Sequence, residues 1–224
     1  MSRTSQLLME MYETMVARFG PLDWWPGKSP LEIAVGAILT QNTNWRNVEK
    51  AIANLYDADC MSITALSELP QEQLAELIRP AGYYNVKTKR LKNFIAAVHD
   101  GFGDDFDGFL DRSVSSLRED LLAVNGIGRE TADSMILYAA KKTTFVIDTY
   151  TFRVLFRHLI IGPEDDYESV KDLMESSLPA DADLFNNYHA QLVTIGKEYC
   201  KKTAKCTGCP LENFEHDPLA GSEQ

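Results

Sequence analysis

Apolar residues recur along most of the chain at intervals of three and four, the spacing of helices that bury one face. Leu7, Leu8, Met11, Met15 and Phe19 set that rhythm over residues 5–19. Residues 30–40 are apolar nearly all round, with Glu32 the only charge among Leu31, Ile33, Ala34, Val35, Ala37, Ile38 and Leu39. This predicts a central helix, and Ser29 followed by Pro30 reads as its N-cap and first position. Further helices are predicted at 45–57, 60–68, 71–79, 86–100, 105–111 and 115–124, punctuated by Pro70 and Pro80, and later at 149–160, 166–176 and 182–199. No convincing two-residue alternation occurs; 143–147 is short enough to be an extended connector. The expected class is all-α.

One stretch breaks the rhythm. Leu117, Leu121, Leu122 and Val124 lead into Asn125-Gly126-Ile127-Gly128-Arg129-Glu130, and Ala132, Met135, Ile136 and Ala139 lead out. The two glycines permit a tight hairpin joining two helices. The second helix would direct its free N–H groups at whatever precedes it, which favours an anion such as a DNA phosphate, and Arg129 adds a charge. An ordinary helix–helix turn is the alternative. Asp148 follows 18 positions beyond Glu130, after an apolar run and before a new helix. In that place an aspartate serves as an N-cap. It also has the chemistry to stabilise a developing positive charge and to orient or deprotonate water.

Composition narrows the classes. At 224 residues and 45% hydrophobic, the chain has material for one large or two modest lobes. No segment has the length and apolarity of a membrane span, and the start lacks a secretory apolar region. A net charge of −11, from 22 Lys and Arg against 33 Asp and Glu, argues against a polyanion partner for the molecule as a whole. It does not exclude one basic face. Lys87, Lys89, Arg90 and Lys92 form one basic cluster, and Lys197, Lys201, Lys202 and Lys205 another, away from the acidic runs at 104–107 and 164–166. A polarised surface with weak non-specific binding is expected, and a salt-adapted host is a second explanation of the charge. Cys200, Cys206 and Cys209 lie close together near the C-terminus, which suits a metal site in a reducing compartment better than a disulfide scaffold. Cys60 reads as a small core residue.

The hairpin with its distal aspartate resembles the helix-hairpin-helix signature of the endonuclease III superfamily of DNA glycosylases. Trp24-Trp25-Pro26, the run 39–43 with Trp45, and the segments 79–85 and 87–91 resemble its 3-methyladenine glycosylase branch. The resemblance implies two helical lobes with a cleft between them, one of residues 23–133 carrying the hairpin, the other of 1–22 and 134–224. It implies Asp148 as the catalytic residue, and Trp24, Trp25, Pro26 and Trp45 as the lining of a pocket for a flipped base, where stacking and cation–π attraction hold an alkylated purine. Lys197, ahead of the first clustered cysteine, is a further pocket candidate, with a solvated surface lysine as the alternative. Gln41 is the candidate to enter the duplex, with a helix C-cap as the alternative. Gly126, Gly128, Arg129 and Lys89 are the expected DNA contacts.

Glu130 stands where bifunctional members carry a lysine that attacks the sugar, so hydrolysis without lyase action is expected. The family's cluster-binding pattern is Cys-x6-Cys-x2-Cys-x5-Cys. Here the first gap is one residue short, and Glu215, beside His216, replaces the fourth cysteine. The options are a [4Fe–4S] cluster on Cys200, Cys206, Cys209 and His216 or Glu215, a three-cysteine, one-histidine zinc site, or no metal. The reading is a monomeric, monofunctional, cytoplasmic and nucleoid-associated base-excision repair enzyme. It would act on double-stranded DNA containing a damaged base, an alkylated purine such as 3-methyladenine. The alternatives are a mismatch thymine/uracil or adenine glycosylase, and a non-catalytic DNA-binding module.

Overall fold

A computed structural model describes residues 2–22 and 24–221. Twelve α-helices occur among them: α1 (Arg3–Phe19), α2 (Pro30–Leu39), α3 (Trp45–Asp57), α4 (Ile63–Glu68), α5 (Gln71–Leu77), α6 (Tyr84–Phe102), α7 (Phe106–Leu110), α8 (Val114–Ala123), α9 (Arg129–Ser134), α10 (Thr149–Arg157), α11 (Tyr167–Ser177) and α12 (Ala182–Glu198). No strand forms among the described residues beyond one isolated bridge, Cys200 to Ala204. The all-α expectation holds.

Local chemistry sets the ends. Ser2, Ser29, Asn44, Ser62, Asp105, Ser113, Asp148, Asp166 and Asp181 each accept a first-turn amide with the side chain, relieving donors that a helix start leaves unpaired. Pro80 cannot continue α5, and residues 79–81 close as a 3-10 turn. At the far end of α9 the helix runs on as a π turn, Met135–Ala139, with Ala140 N bonded to Met135 O at 3.0 Å.

The chain forms two compact units, one of residues up to Trp24 together with those from Thr143, the other Trp25–Lys142. The second boundary lies beyond residue 133, where the sequence reading placed it, because Met135, Ile136 and Ala139 belong to the same buried cluster as α2. In that unit α2 is central. Ala34, Val35 and Ile38 pack with Leu91, Phe94 and Ile95 of α6 and with Ala132 of α9. Lys87 is buried there, its Nζ donating to Leu39 O and Ala81 O, both at 2.8 Å. Burial, with Arg90 nearby, lowers its pKa to about 8.

In the other unit α1 and α10–α12 surround Phe145, Phe185 and Tyr188, whose rings meet edge to face. Tyr188 donates to Leu8 O at 2.8 Å and Gln191 to Gly20 O at 2.8 Å, tying α12 to the body and the C-cap of α1. The connector 143–147 is extended but unpaired as a strand. Glu175 accepts Phe145 N at 2.7 Å, the Thr144 hydroxyl at 3.1 Å and Lys171 Nζ at 2.6 Å, which fixes the chain immediately before Asp148.

Candidate functional site

The site residues fall into groups that each unit assembles from its own elements. The first group is built on Asp148. Its backbone is extended (φ −110°, ψ 179°) as it enters α10, and Oδ1 accepts Thr151 N at 2.7 Å, so the capping reading holds. The other oxygen, Oδ2, lies 3.6 Å from Nε2 of His189 on α12, with the two side chains 13% and 4% exposed. Burial pushes the carboxyl up, but the His189 ring and the amide and side chain of Thr151 outweigh it and hold the pKa below the ordinary aspartate value. Asp148 is therefore a nearly buried anion with one oxygen engaged locally. The His189 and Trp24 ring centroids are 6.5 Å apart. Lys197 Nζ stands 5.4 Å from the Trp24 ring centroid and 5.9 Å from that of Tyr150. Gly196 makes this packing possible, since a Cβ there would collide with Tyr150. Asp148, His189, Trp24, Tyr150 and Lys197 thus form one neighbourhood.

The second group is aromatic. Trp25 stacks on Tyr138 at 5.2 Å and 25°, and meets Trp45 edge to face at 5.1 Å. The π turn carries Tyr138. Gly36 of α2 leaves the room: a Cβ there would lie 3.3 Å from Trp45 and 3.4 Å from Trp25 Nε1. Trp45 Nε1 is buried and has no hydrogen-bond partner among the described residues. Pro26 is exposed beside the cluster. The adjacent residues Trp24 and Trp25 belong to different units.

The third group is the hairpin. Gly126 has φ +101°, a backbone region that side chains rarely enter, and a Cβ there would strike Arg90. Gly128 differs: it is extended (φ −96°, ψ 177°) at the start of α9, with nothing within 4 Å of a Cβ. Its glycine is required by neither backbone nor neighbours. Gly128, Arg129 and Glu130 are exposed, while Ile127 is buried and anchors the turn.

Gln41 is not loose. Arg90 donates to its Oε1, and its Nε2 donates to Thr131 Oγ1 at 2.9 Å and Gly126 O at 3.3 Å. It braces the α2–α3 loop against the hairpin, and leaving that place would cost three hydrogen bonds. The next residue, Asn42, is exposed and left-handed at φ 53°. The first basic cluster also disperses. Lys87 is buried, Arg90 holds Gln41, and Lys92 donates to Leu66 O at 2.7 Å and Ser67 O at 2.9 Å. Lys89 is exposed, as are Lys197, Lys201, Lys202 and Lys205.

The three clustered cysteines share one loop. The donor set does not fit a metal as placed. Among the described residues no three His, Cys, Asp or Glu side chains converge to hold an ion. Cys200 Sγ accepts from Arg157 Nη1 at 3.3 Å. Burial pushes the Cys206 thiol up and Cys209 to about 11. His216 pairs through Nδ1 with Phe214 O at 2.7 Å and lies 5.5 Å from the His158 ring, while Glu215 offers His158 its carbonyl. What holds the loop is Arg157, 2% exposed, which donates to Lys201 O at 2.6 Å, Lys202 O at 2.9 Å and Ala220 O at 3.2 Å.

His189, Tyr138 and Arg157 escape the sequence reading. Each lies in a helix at a position that also suits an ordinary core or surface residue, and no local motif marks it.

Known proteins resemble this chain in sequence and fold. Residues 35–180 match the family model described as HhH-GPD superfamily base excision DNA repair protein. A Methanocaldococcus jannaschii protein assigned by name as a DNA repair glycosylase is 40% identical over 210 residues, 93% of this chain and 96% of that one. The crystal structure of an H. pylori 3-methyladenine DNA glycosylase bound to 1,N6-ethenoadenine superposes with TM-score 0.74 at 28% identity, covering 87% of this chain and 97% of that chain. A non-covalent endonuclease III–DNA complex gives TM-score 0.79 at 20% identity, over 97% and 95%, and shares the fold.

Proposed function

This chain belongs to the HhH-GPD superfamily of base excision DNA repair proteins, and from that premise we propose that it is a monofunctional DNA glycosylase, acting as a monomer, that excises an alkylated purine such as 3-methyladenine from double-stranded DNA. The observation that carries the chemistry is the Asp148 carboxylate, ionised, nearly buried and fixed by Thr151 with its second oxygen beside His189. Breaking an N-glycosidic bond leaves positive charge on the sugar. A preorganised carboxylate stabilises that charge as it develops and orients or deprotonates the attacking water. One oxygen engaged by an amide and the other beside His189 without a direct hydrogen bond suits this role.

Lyase action requires an amine that attacks the sugar. Glu130, in the first turn of α9, cannot supply one. The partly exposed rings of Trp25 and Trp45 supply stacking surface for an extruded base, and the buried Tyr138 ring backs Trp25. The relative from H. pylori, with an etheno-adduct of adenine bound, supports an alkylated purine. In DNA contact, the exposed amides of Gly128 and Arg129 with Lys89 meet phosphate. Asn42 is better placed than the braced Gln41 to meet the duplex.

One observation favours a second reading. The Lys197 ammonium already stands over Trp24, and a positive charge there disfavours a cationic base relative to a neutral one such as a mismatched thymine or uracil. A panel of duplexes carrying alkylated, deaminated and mismatched bases decides between them. The proposal expects 3-methyladenine release to be fastest, an intact abasic strand, and no covalent adduct on borohydride treatment. Trp25→Ala or Trp45→Ala should slow release of a cationic base more than of a neutral one. Faster release of thymine or uracil establishes the second reading, and a trapped adduct overturns the monofunctional one.

A further inference from the structure

We propose that His189 is the positioning residue for Asp148, holding Oδ2 on the side of the carboxylate that faces α12. The inference rests on the reading of Asp148 as the catalytic residue. A nearly buried carboxylate is costly without compensation. The Thr151 amide at 2.7 Å stabilises Oδ1 alone. For Oδ2 the facing group is His189 Nε2 at 3.6 Å, a separation that admits electrostatic attraction but is longer than a direct hydrogen bond. The ring is fixed, being 4% exposed and packed near Trp24.

The other charged and titratable groups on α10 and α12 are engaged elsewhere or exposed. Arg153 donates to Cys200 O at 2.6 Å and Gly196 O at 3.3 Å and lies over the Tyr150 ring. Arg157 holds the cysteine loop. Tyr188 is bonded to Leu8 O. Lys197 stands over Trp24 and Tyr150, and Glu198 is exposed. His158, at the end of α10, is paired with Glu215 O. Thr151 contributes its side chain as well as its amide to the carboxylate, and among the described residues of these helices His189 is the titratable side chain that faces Oδ2. With Thr151 it accounts for a carboxylate with little solvent keeping a pKa below the ordinary value.

The test uses the full chain, with His189→Phe, which keeps a ring and removes both nitrogens, and His189→Gln, which restores a donor. Two readouts separate this inference from the functional reading beneath it. The first is the carboxyl carbon resonance of Asp148, titrated by NMR in the absence of DNA. Its midpoint should rise in His189→Phe and return toward wild type in His189→Gln; an unchanged midpoint in a folded His189→Phe overturns the proposal whatever the substrate. The second is single-turnover base release against pH. His189→Phe should lose about tenfold in rate, the size of one lost partner of a charged group, with its acid limb displaced to higher pH and DNA affinity within about twofold. A loss uniform across pH, without a shift of the limb, would mark His189 as a packing residue only. If no base of the panel is released by wild type while the NMR midpoint shifts, the functional reading fails and the His189–Asp148 coupling stands. Should His189→Phe not fold, His189→Leu, which also removes both nitrogens, carries the same two measurements, and wild-type values in a folded His189→Leu overturn the proposal.

Discussion

Asp148 joins two roles that a sequence leaves in competition, cap and anion. Substituting asparagine separates them, because asparagine caps helices as well as aspartate but carries no charge. Asp148→Asn is expected to fold and to bind DNA with unchanged or higher affinity, since a negative group near phosphates is removed. Its single-turnover rate should fall about a hundredfold or more, as for other lost electrostatic stabilisers. Wild-type activity in this variant would return Asp148 to the role of cap alone. The same residue links stability to pH. Its pKa is depressed in the folded state, so its contribution is fully present above the unfolded value of about 3.9 and disappears as pH falls through the lower folded value. Thermal melts of wild type and Asp148→Asn should therefore differ most at neutral pH and converge in acid. Lys87 acts in the same direction in an alkaline window. Its folded pKa of about 8 lies below the unfolded one, so the unfolded chain binds more protons between those values and Lys87 adds to stability as pH rises above about 8.

At the scale of the element, the hairpin and the cysteine loop are held by different means. Gly126 is needed for its left-handed backbone and for the space Arg90 fills, whereas Gly128 has neither constraint. Gly126→Ala should destabilise the fold by more than about 1 kcal/mol, the scale of an alanine forced to positive φ. Gly128→Ala should leave the melting temperature nearly unchanged and still weaken DNA binding, because a methyl group would stand between phosphate and the exposed amides at the start of α9. Equal affinity for Gly128→Ala and wild type would show that these amides do not approach the backbone. The cysteine loop depends on Arg157, a buried cation hydrogen-bonded to three carbonyls and a thiol. Arg157→Met should leave those carbonyls unpaired and cost roughly 1–3 kcal/mol, read as a lower melting temperature and faster amide exchange over residues 200–220 than over α1.

For the whole molecule the puzzle is a net charge of −11 on a DNA repair protein. The structure sharpens it, since Lys87, Arg90 and Lys92 hold carbonyls and Gln41 rather than solvent positions. Arg129, Lys89 and the lysines of α12 and the cysteine loop remain exposed. Few phosphate contacts imply a shallow salt dependence. Arg129→Glu should weaken binding to damaged and undamaged duplexes alike and reduce the slope of log affinity against log salt by about one, measured by fluorescence anisotropy over a salt series. Unaltered affinity at low salt would remove the hairpin from the interface. No described helix is long and apolar enough to cross a membrane.

The amino-acid order by itself determined the helices, the hairpin and the location of Asp148, because helix periodicity, glycine at a turn and an oxygen-bearing cap are local physics. Ser29-Pro30 marked the start of α2, and the nearly unbroken apolar run after it marked that helix as central. Shared chain position did not determine shared role. Lys87, Lys89, Arg90 and Lys92 read as one basic patch, yet only Lys89 among them is exposed, because helical phase turns its neighbours toward Gln41 and carbonyls of other elements. Gln41 reads as a loop-tip residue, yet contacts with residues 49, 85 and 90 positions away fix it as a brace. The cysteine spacing suggested a ligand set, but convergence of thiols depends on side-chain direction, and Arg157 from α10 determines the path of that loop. His189 and Tyr138 acquire their meaning only when folding brings them to Asp148 and Trp25, because a contact across tens of residues leaves no trace in the pattern around either partner.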